Sequence, residues 1–253
     1  MQKILLVVLV AIIFVLVGCE SIDAAKLETH SQYSNAEVFT DNPLLFLSFI
    51  TETLNGTNYT ITSSLFEAEK DMRISFPEVG NLDGELQEKV NRLIWGEVHQ
   101  MLSIFPERED LTLDITYEIK FSSDRLLSIA YTGMGFVQGS TRPTHLFYTL
   151  NINMETGEKI VLNDVVRINE MFVALLLSDS TIHLNPYPEL KQFVRGIIAE
   201  DTFLYRLQSA DNPMFYFTGD SLGISISGLG GAAGDHTELE IQYKAIFSHL
   251  KDS

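Results

Sequence analysis

Between Leu111 and Phe121 apolar and polar residues alternate without a break. Leu111, Leu113, Ile115, Tyr117, Ile119 and Phe121 fall on one side, and Thr112, Asp114, Thr116, Glu118 and Lys120 on the other. A period of two belongs to a strand with one buried and one wetted face, so this stretch predicts a half-buried antiparallel strand. "RLLSIAYTGMGF" (Arg125–Phe136) and "THLFYTLNINM" (Thr144–Met154) repeat the pattern and predict a meander. "METGEK" (Met154–Lys159) has the turn chemistry to reverse the chain into "IVLNDVV" (Ile160–Val166). Upstream, "YTITSSLFEAEKDMRISFPEV" (Tyr59–Val79) reads as two extended segments, with Pro77 ending the second.

The period changes after Asp83, a plausible N-cap. In "GELQEKVNRLIWGEVHQMLSIF" (Gly84–Phe105) Leu86, Val90, Leu93, Ile94, Val98, Met101 and Leu102 recur at helical spacing. His99 lies just off that stripe and reads as a flanking residue. Two more helical stretches follow, "INEMFVALLLSDS" (Ile168–Ser180) and "PELKQFVRGIIAEDTFLYRL" (Pro188–Leu207), the second opening with a proline in its first turn. "PMFYFTGD", "SLGISI" and "ELEIQYKAIF" then read as three short strands, the last turning helical. Strands mostly follow strands, and helices fall between sheet blocks. The fold class expected is therefore α+β, an antiparallel sheet of meander and hairpins packed against a few helices, because a doubly wound or barrel fold needs regular β-α-β alternation.

The N-terminus carries a different message. An apolar run from Ile4 to Val17 follows a single early lysine and ends in Leu16-Val17-Gly18-Cys19, the pattern of a bacterial secretory signal closing in a lipobox. The run is shorter than the roughly 17–25 residues that span a bilayer. Residues 1–18 are thus expected to be a lipoprotein signal peptide and Cys19 the lipidation site. A diacylglyceryl group with a further acyl chain would anchor the chain at the extracytoplasmic face of a bacterial membrane. Cys19 is the sole cysteine, so disulfide, thiol and zinc–cysteine chemistry is excluded. Residues 19–43, polar and aperiodic, read as a flexible tether, and 44–253 as the compact region.

Charge narrows the partners. The chain has 17 basic and 34 acidic residues, a net charge of −17, and a nucleic-acid partner is not expected because phosphate neutralisation needs Lys and Arg.

Three stretches are candidates for chemistry. Gly219-Asp220-Ser221-Leu222 spells the nucleophile motif of one esterase class, which places its serine before a helix and near a His base. Here the tetrad is late in the chain and between strand-like runs, with no Asp-x-x-His anywhere. It reads as a hairpin with Gly219-Asp220 at the tip and Phe215, Phe217, Ile224 and Ile226 turned to the core. "GLGGAAGDHTELE" (Gly228–Glu240) is a glycine loop without the Walker lysine. Gly230, Gly231, Asp235 and His236 are candidate ligand-binding residues within it. Asp235, His236, Glu238 and Glu240 have metal-ligand chemistry, yet Glu238 and Glu240 alternate with Leu239 and Ile241 as outward strand residues do. "GFVQGSTRPTHLF" (Gly135–Phe147) is a polar loop between strands, in which Gly139, Ser140, Arg142, Pro143 and His145 are the candidates for recognition. No cofactor and no metal is expected.

The order of these features resembles a known pair of extracytoplasmic domains. "ISFPEVGNLDGELQEKVNRLI" (Ile74–Ile94), with its aromatic-Pro pair and Val90-Asn91, is similar to the first. Leu126–Val166 is similar to the second, through Leu127-Ser128 and through Asn153, Thr156, Gly157, Leu162 and Asp164. "FYFTGDSLGISI" (Phe215–Ile226) resembles the family's closing hairpin. The pair forms the ectodomain of RsiV-type anti-sigma factors, which bind lysozyme, and precedes the catalytic domain of PdaC-type peptidoglycan deacetylases. The resemblance implies two subdomains, a PdaC-like part at about 58–108 and an RsiV-like part at about 109–250. The chain shows neither a sigma-binding segment nor an appended deacetylase domain, and its glycine loop lacks the proline and aromatic residues of the family. The expectation is a lipid-anchored surface protein with a non-catalytic binding or sensing domain, its ligand a cell-wall glycan or a protein such as lysozyme. The alternative is a cell-envelope hydrolase, esterase or deacetylase-like, acting through Ser221 or a His/carboxylate site.

Overall fold

The computed structural model describes residues 57–68, 71–105, 110–184, 188–209, 213–227 and 236–250. The lipobox with Cys19, the tether, and Gly230, Gly231 and Asp235 of the glycine loop lie outside the described residues.

The fold is α+β, built on two sheets. In the first, β1 (Thr60–Ala68) and β2 (Met72–Gly80) form a hairpin. Helix α1 (Gly84–Ser103) then carries the chain to β3 (Leu111–Ser122), which runs parallel to β2 over three residues. β4 (Leu126–Val137), β5 (Thr144–Asn153) and β6 (Glu158–Lys159) complete the expected meander, and the order is β1-β2-β3-β4-β5-β6. This sheet takes strands from both sides of residue 109. The later chain forms α2 (Leu162–Val165), α3 (Glu170–Leu176), β7 (Thr181–His183), α4 (Pro188–Ile198) and α5 (Phe203–Gln208). β8 (Phe215–Phe217), β9 (Ser221–Ser227), β10 (His236–Gln242) and α6 (Tyr243–Ile246) follow. The second sheet is ordered β7-β10-β9-β8 and is antiparallel throughout.

Each sheet has its own apolar core. Val90, Ile94, Val98, Met101 and Leu102 of α1 bury against Leu113, Ile115, Leu127 and Ile129 of the first sheet, as the helical spacing predicts. Asp83 caps the helix, its Oδ1 accepting from the Glu85 amide at 3.3 Å. Phe172, Val194, Ile198 and Phe203 bury against Phe215, Phe217, Ile224 and Ile241 of the second sheet.

Three local expectations are corrected. Pro77 does not end β2; the strand continues to Gly80, with Pro77 opposite Ser63. Beyond Ile74 β2 is paired with β1 alone, which leaves positions where a missing N–H costs no ladder bond. "IVLNDVV" is not a strand: β6 stops at Lys159, and Asp164 Oδ2 accepts the Val161 amide at 3.0 Å to start the helical turn α2. The stretch Pro188–Leu207 is two helices, turned at Glu200–Thr202 so that Ile198 and Phe203 reach the same core.

The residues that carried the family resemblance turn out to be builders of this architecture. Asn91 holds the unpaired edge of β2 from the helix, with Oδ1 accepting the Val79 amide and Nδ2 donating to the Val79 carbonyl, both at 2.8 Å. Asn153 Oδ1 accepts the amides of Glu155 and Thr156 and closes the turn before β6, where Gly157 takes a φ of +67°.

The two sheets are joined through β8. One edge of this three-residue strand pairs with β9, and the other rests on the face of β4 and β5. There Thr149 Oγ1 accepts the Phe215 amide at 3.0 Å, Asn151 Nδ2 donates to the Phe215 carbonyl at 2.8 Å, and Ser128 Oγ accepts the Phe217 amide at 3.0 Å. Ser128 in turn donates to Asn151 Oδ1 at 2.6 Å. All of these side chains are buried. On the opposite face Tyr117, Tyr131 and Tyr148 line up across three strands. Tyr131 Oη is buried there without a hydrogen-bond partner among the described residues, and burial, reinforced by Glu97, raises its pKa.

Two stability predictions follow from these contacts. Ser128→Ala strands the Phe217 amide and the Asn151 carbonyl oxygen, so the urea midpoint should fall by the equivalent of about 1–3 kcal/mol. Tyr131→Phe removes a hydroxyl that gains nothing by burial, and should leave the midpoint unchanged or raise it.

Candidate functional site

β8 covers only part of the face it rests on. Along that face the meander sets residues in transverse lines. Ser128 lies opposite Asn151, and Glu118, Ala130 and Thr149 form the next line, both under or beside β8. Then come Thr116, Thr132 and Phe147; then Arg73, Asp114, Met134 and His145 across four strands; and last Thr112 with Phe136. Beyond Phe147 this half of the face is exposed, including Met134 at 46% and Phe136 at 39%.

The β4–β5 loop nominated from the sequence, and His236 of the other nominated stretch, border this open half. Gly139, Ser140, Arg142 and Pro143 form the tip joining β4 to β5, closed by the Ser140 amide donating to Val137 O at 3.0 Å. Gly139 takes a φ of +91° in that turn, a conformation glycine adopts without strain. Ser140 Oγ donates to the Arg142 carbonyl at 3.2 Å, so it serves the turn and forms no dyad with His145. His145 stands on β5 directly opposite Met134. From the other side His236, the first residue of β10, stacks on Phe147 with ring centroids 4.5 Å apart. Glu238 and Glu240 alternate with buried Leu239 and Ile241, as expected of outward strand residues. His236 Nε2 lies 4.0 Å from Glu238 Oε1.

A small polar wall separates the open half from the covered one. Tyr216 lies across Gly223, where an added Cβ would sit 2.1 Å from the ring, and its hydroxyl donates to Glu240 Oε1 at 3.1 Å. A bulge between Ile119 and Phe121 turns Lys120 so that its ammonium lies 5.0 Å from the Tyr216 ring centre and 2.7 Å from Glu118. Burial is the main cause that raises the Tyr216 pKa, with Glu238 and Glu240 adding to it.

The Gly-Asp-Ser-Leu tetrad is the hairpin the sequence predicts. Gly219 and Asp220 are exposed at its tip, while Phe215, Phe217, Ile224 and Ile226 are in the core. Ser221 is 2% exposed. Its Oγ meets Thr218 Oγ1 at 2.8 Å, Asp220 Oδ1 at 3.1 Å and Glu240 Oε2 at 3.3 Å. A serine so placed ties the turn to β10. Elsewhere, a groove of about 440 Å³ lies at the opposite end of β4, beside Asp83, Asp124 and Arg125. Arg125 is held there by both oxygens of Glu155, at 2.9 and 3.3 Å.

Sequence reasoning passed over Asp114, Met134, Phe136, Phe147 and Tyr216, treating the outward half of each strand as plain solvent face. One signal was present. In Gly133-Met134-Gly135-Phe136 the glycines occupy the inward positions and the large apolar residues the outward ones. Gly133 is pressed against the Asp114 carbonyl and Gly135 against the Phe105 ring, each with 2.3 Å left for a Cβ. The reversal of the alternation marks an apolar surface built on the outside.

No protein-family model matches the chain, and no curated protein does. Among solved structures it is similar to a DUF3298 family member from Bacteroides fragilis, at 11% identity, covering 76% of this chain and 93% of that one with a TM-score of 0.46. It is similar also to a DUF3298 family protein from Pseudomonas aeruginosa, at 11% identity over 78% and 95% of the two chains, TM-score 0.49.

Gly223→Ala tests the wall. The methyl group and the Tyr216 ring claim the same space, so the substitution should lower stability by about 1–3 kcal/mol in denaturant unfolding, and Tyr216→Leu in the same chain should recover part of the loss.

Proposed function

We propose that this chain is a lipid-anchored surface protein, held by Cys19 at the extracytoplasmic face of a bacterial membrane. Its α+β region serves as a non-catalytic binding or sensing module for a cell-wall glycan or a protein such as lysozyme. One observation carries the reading: the β4–β5 tip and the first residue of β10, far apart in sequence, come to one sheet face, where His236 stacks on Phe147. Loops brought to one rim by a rigid scaffold are the usual arrangement of a recognition surface.

The direction of the chain supports it. The Asn58 amide donates to Asp124 Oδ1 and Tyr59 Oη to the Ser123 carbonyl, which pins the entering chain at the turn between β3 and β4. The Gly139 tip lies at the other end of the twelve-residue strand β4, roughly 36 Å away. The Gly139 tip is thus remote from the end of the sheet at which the described chain begins. The burial and bonding of Ser221 also favour binding over catalysis, since a nucleophile must reach its substrate and a base.

Pull-down with the chain should show saturable capture of peptidoglycan fragments or of lysozyme, weakened several-fold by Arg142→Ala or His145→Ala. Failure to capture either, or p-nitrophenyl ester turnover abolished by Ser221→Ala, would replace this reading with the hydrolase.

A further inference from the structure

The chain's one tryptophan stands at the outer edge of the first sheet. Trp95 reaches from α1 over the β1–β2 hairpin. Its ring centre lies 5.7 Å from that of Phe66 and 5.4 Å from that of Phe76, which are diagonal neighbours there. The His99 ring lies 4.7 Å away, and His99 Nδ1 donates to the Trp95 carbonyl at 2.9 Å. Packed against three rings, Trp95 is still 40% exposed, and Phe66 and Phe76 are only half-buried. β1 ends the sheet, and its far edge has no partner strand among the described residues. Across that edge, on the other face of β1, Leu65 is 45% exposed. Charged side chains around the patch are matched, with Glu67 3.7 Å from Arg73 and Glu88 3.6 Å from Arg92.

Resting on the membrane anchoring of the reading above, we propose that this edge lies on the bilayer surface, with Trp95 and Leu65 entering the headgroup region. Indole suits that depth, its ring apolar and its N–H able to find water or a headgroup. The free edge of β1 limits the depth, because its amides and carbonyls need water within reach. The described chain begins at Thr57, just before β1 at Thr60, so the strand nearest the anchor in sequence is the one that carries the patch. A lipid on Cys19 holds this face near the bilayer at an effective concentration on the order of millimolar, and a weak contact is then enough. That is also why the bilayer is the occupant chosen. A strand adding to β1 requires a protein that must be recruited, while the bilayer is present wherever the anchor holds. The net charge of −17 opposes an anionic leaflet, so the contact is apolar in origin.

The test uses the full chain, lipidated at Cys19 and reconstituted on phosphatidylcholine vesicles. Flotation reads the anchoring, and the emission of Trp95, the sole tryptophan, reads the contact. Acyl chains brominated near the headgroup should quench that emission relative to unbrominated vesicles, and added salt should not reverse the quenching. Leu65→Asp should cut it about twofold or more. Ile182→Asp, which replaces an exposed apolar residue on the second sheet, should leave it unchanged. Thermal unfolding of both variants checks that the fold is retained. A chain that floats with the vesicles while Trp95 stays unquenched overturns this inference and keeps the anchoring. Quenching that Leu65→Asp leaves intact, or that salt abolishes, does the same. A chain that does not float overturns both.

Discussion

A three-residue strand has two edges, and a buried edge must find partners for its amides and carbonyls. β8 finds them on side chains. Ser128, Thr149 and Asn151 rise from the middle of the first sheet and take the places that a further strand would have filled. The second sheet's position on the first is set by those bonds, and much else depends on them. They decide how much of the β3–β4–β5 face is covered and how much is open. They place Tyr216 beside Lys120, and β10 where His236 can stack on Phe147.

The chemistry along that face grades accordingly. Under β8 it is small and polar, matched atom for atom to a backbone edge. At the wall it is charged and bonded within itself, with Glu118 paired to Lys120 and Glu240 accepting from the Tyr216 and Ser221 hydroxyls. In the open half it is a carboxylate among exposed Met and Phe side chains. Ser221, which reads as a nucleophile in four letters, belongs to the wall, where its hydroxyl is used in holding a turn.

Much of the fold was legible from periodicity. The 3.6-residue stripe of α1 and the period-two alternation of β3 name the faces turned to the core, because burial of one face is what both patterns record, whereas β4 and β5 are buried on both faces over much of their length. The hairpin at Phe215–Ile226 was legible for the same reason. Short elements were not: β6, β7 and α2 are too brief for a period to show. Pro77 misled because the cost of proline in a strand depends on which side is paired, and that is a property of the sheet. The family-like residues Asn91, Asn153 and Asp164 were visible as motifs, yet their work in holding an edge, a turn and a helix start was not.

The sequence by itself determined the helical stripe of α1, the alternation of β3, the hairpin at Phe215–Ile226 and the acidic balance, since each is written in neighbouring residues. It also named His236 and the β4–β5 loop as candidates. Tertiary structure decided that His236 reaches β5, because its contact with Phe147 spans some ninety residues of chain and no local pattern encodes it. It likewise decided that Asp114, Met134 and Phe136 stay on the uncovered part of the sheet. An outward strand residue is solvent-facing by default, and what it faces depends on how far a second sheet, held by three side chains, extends across the first.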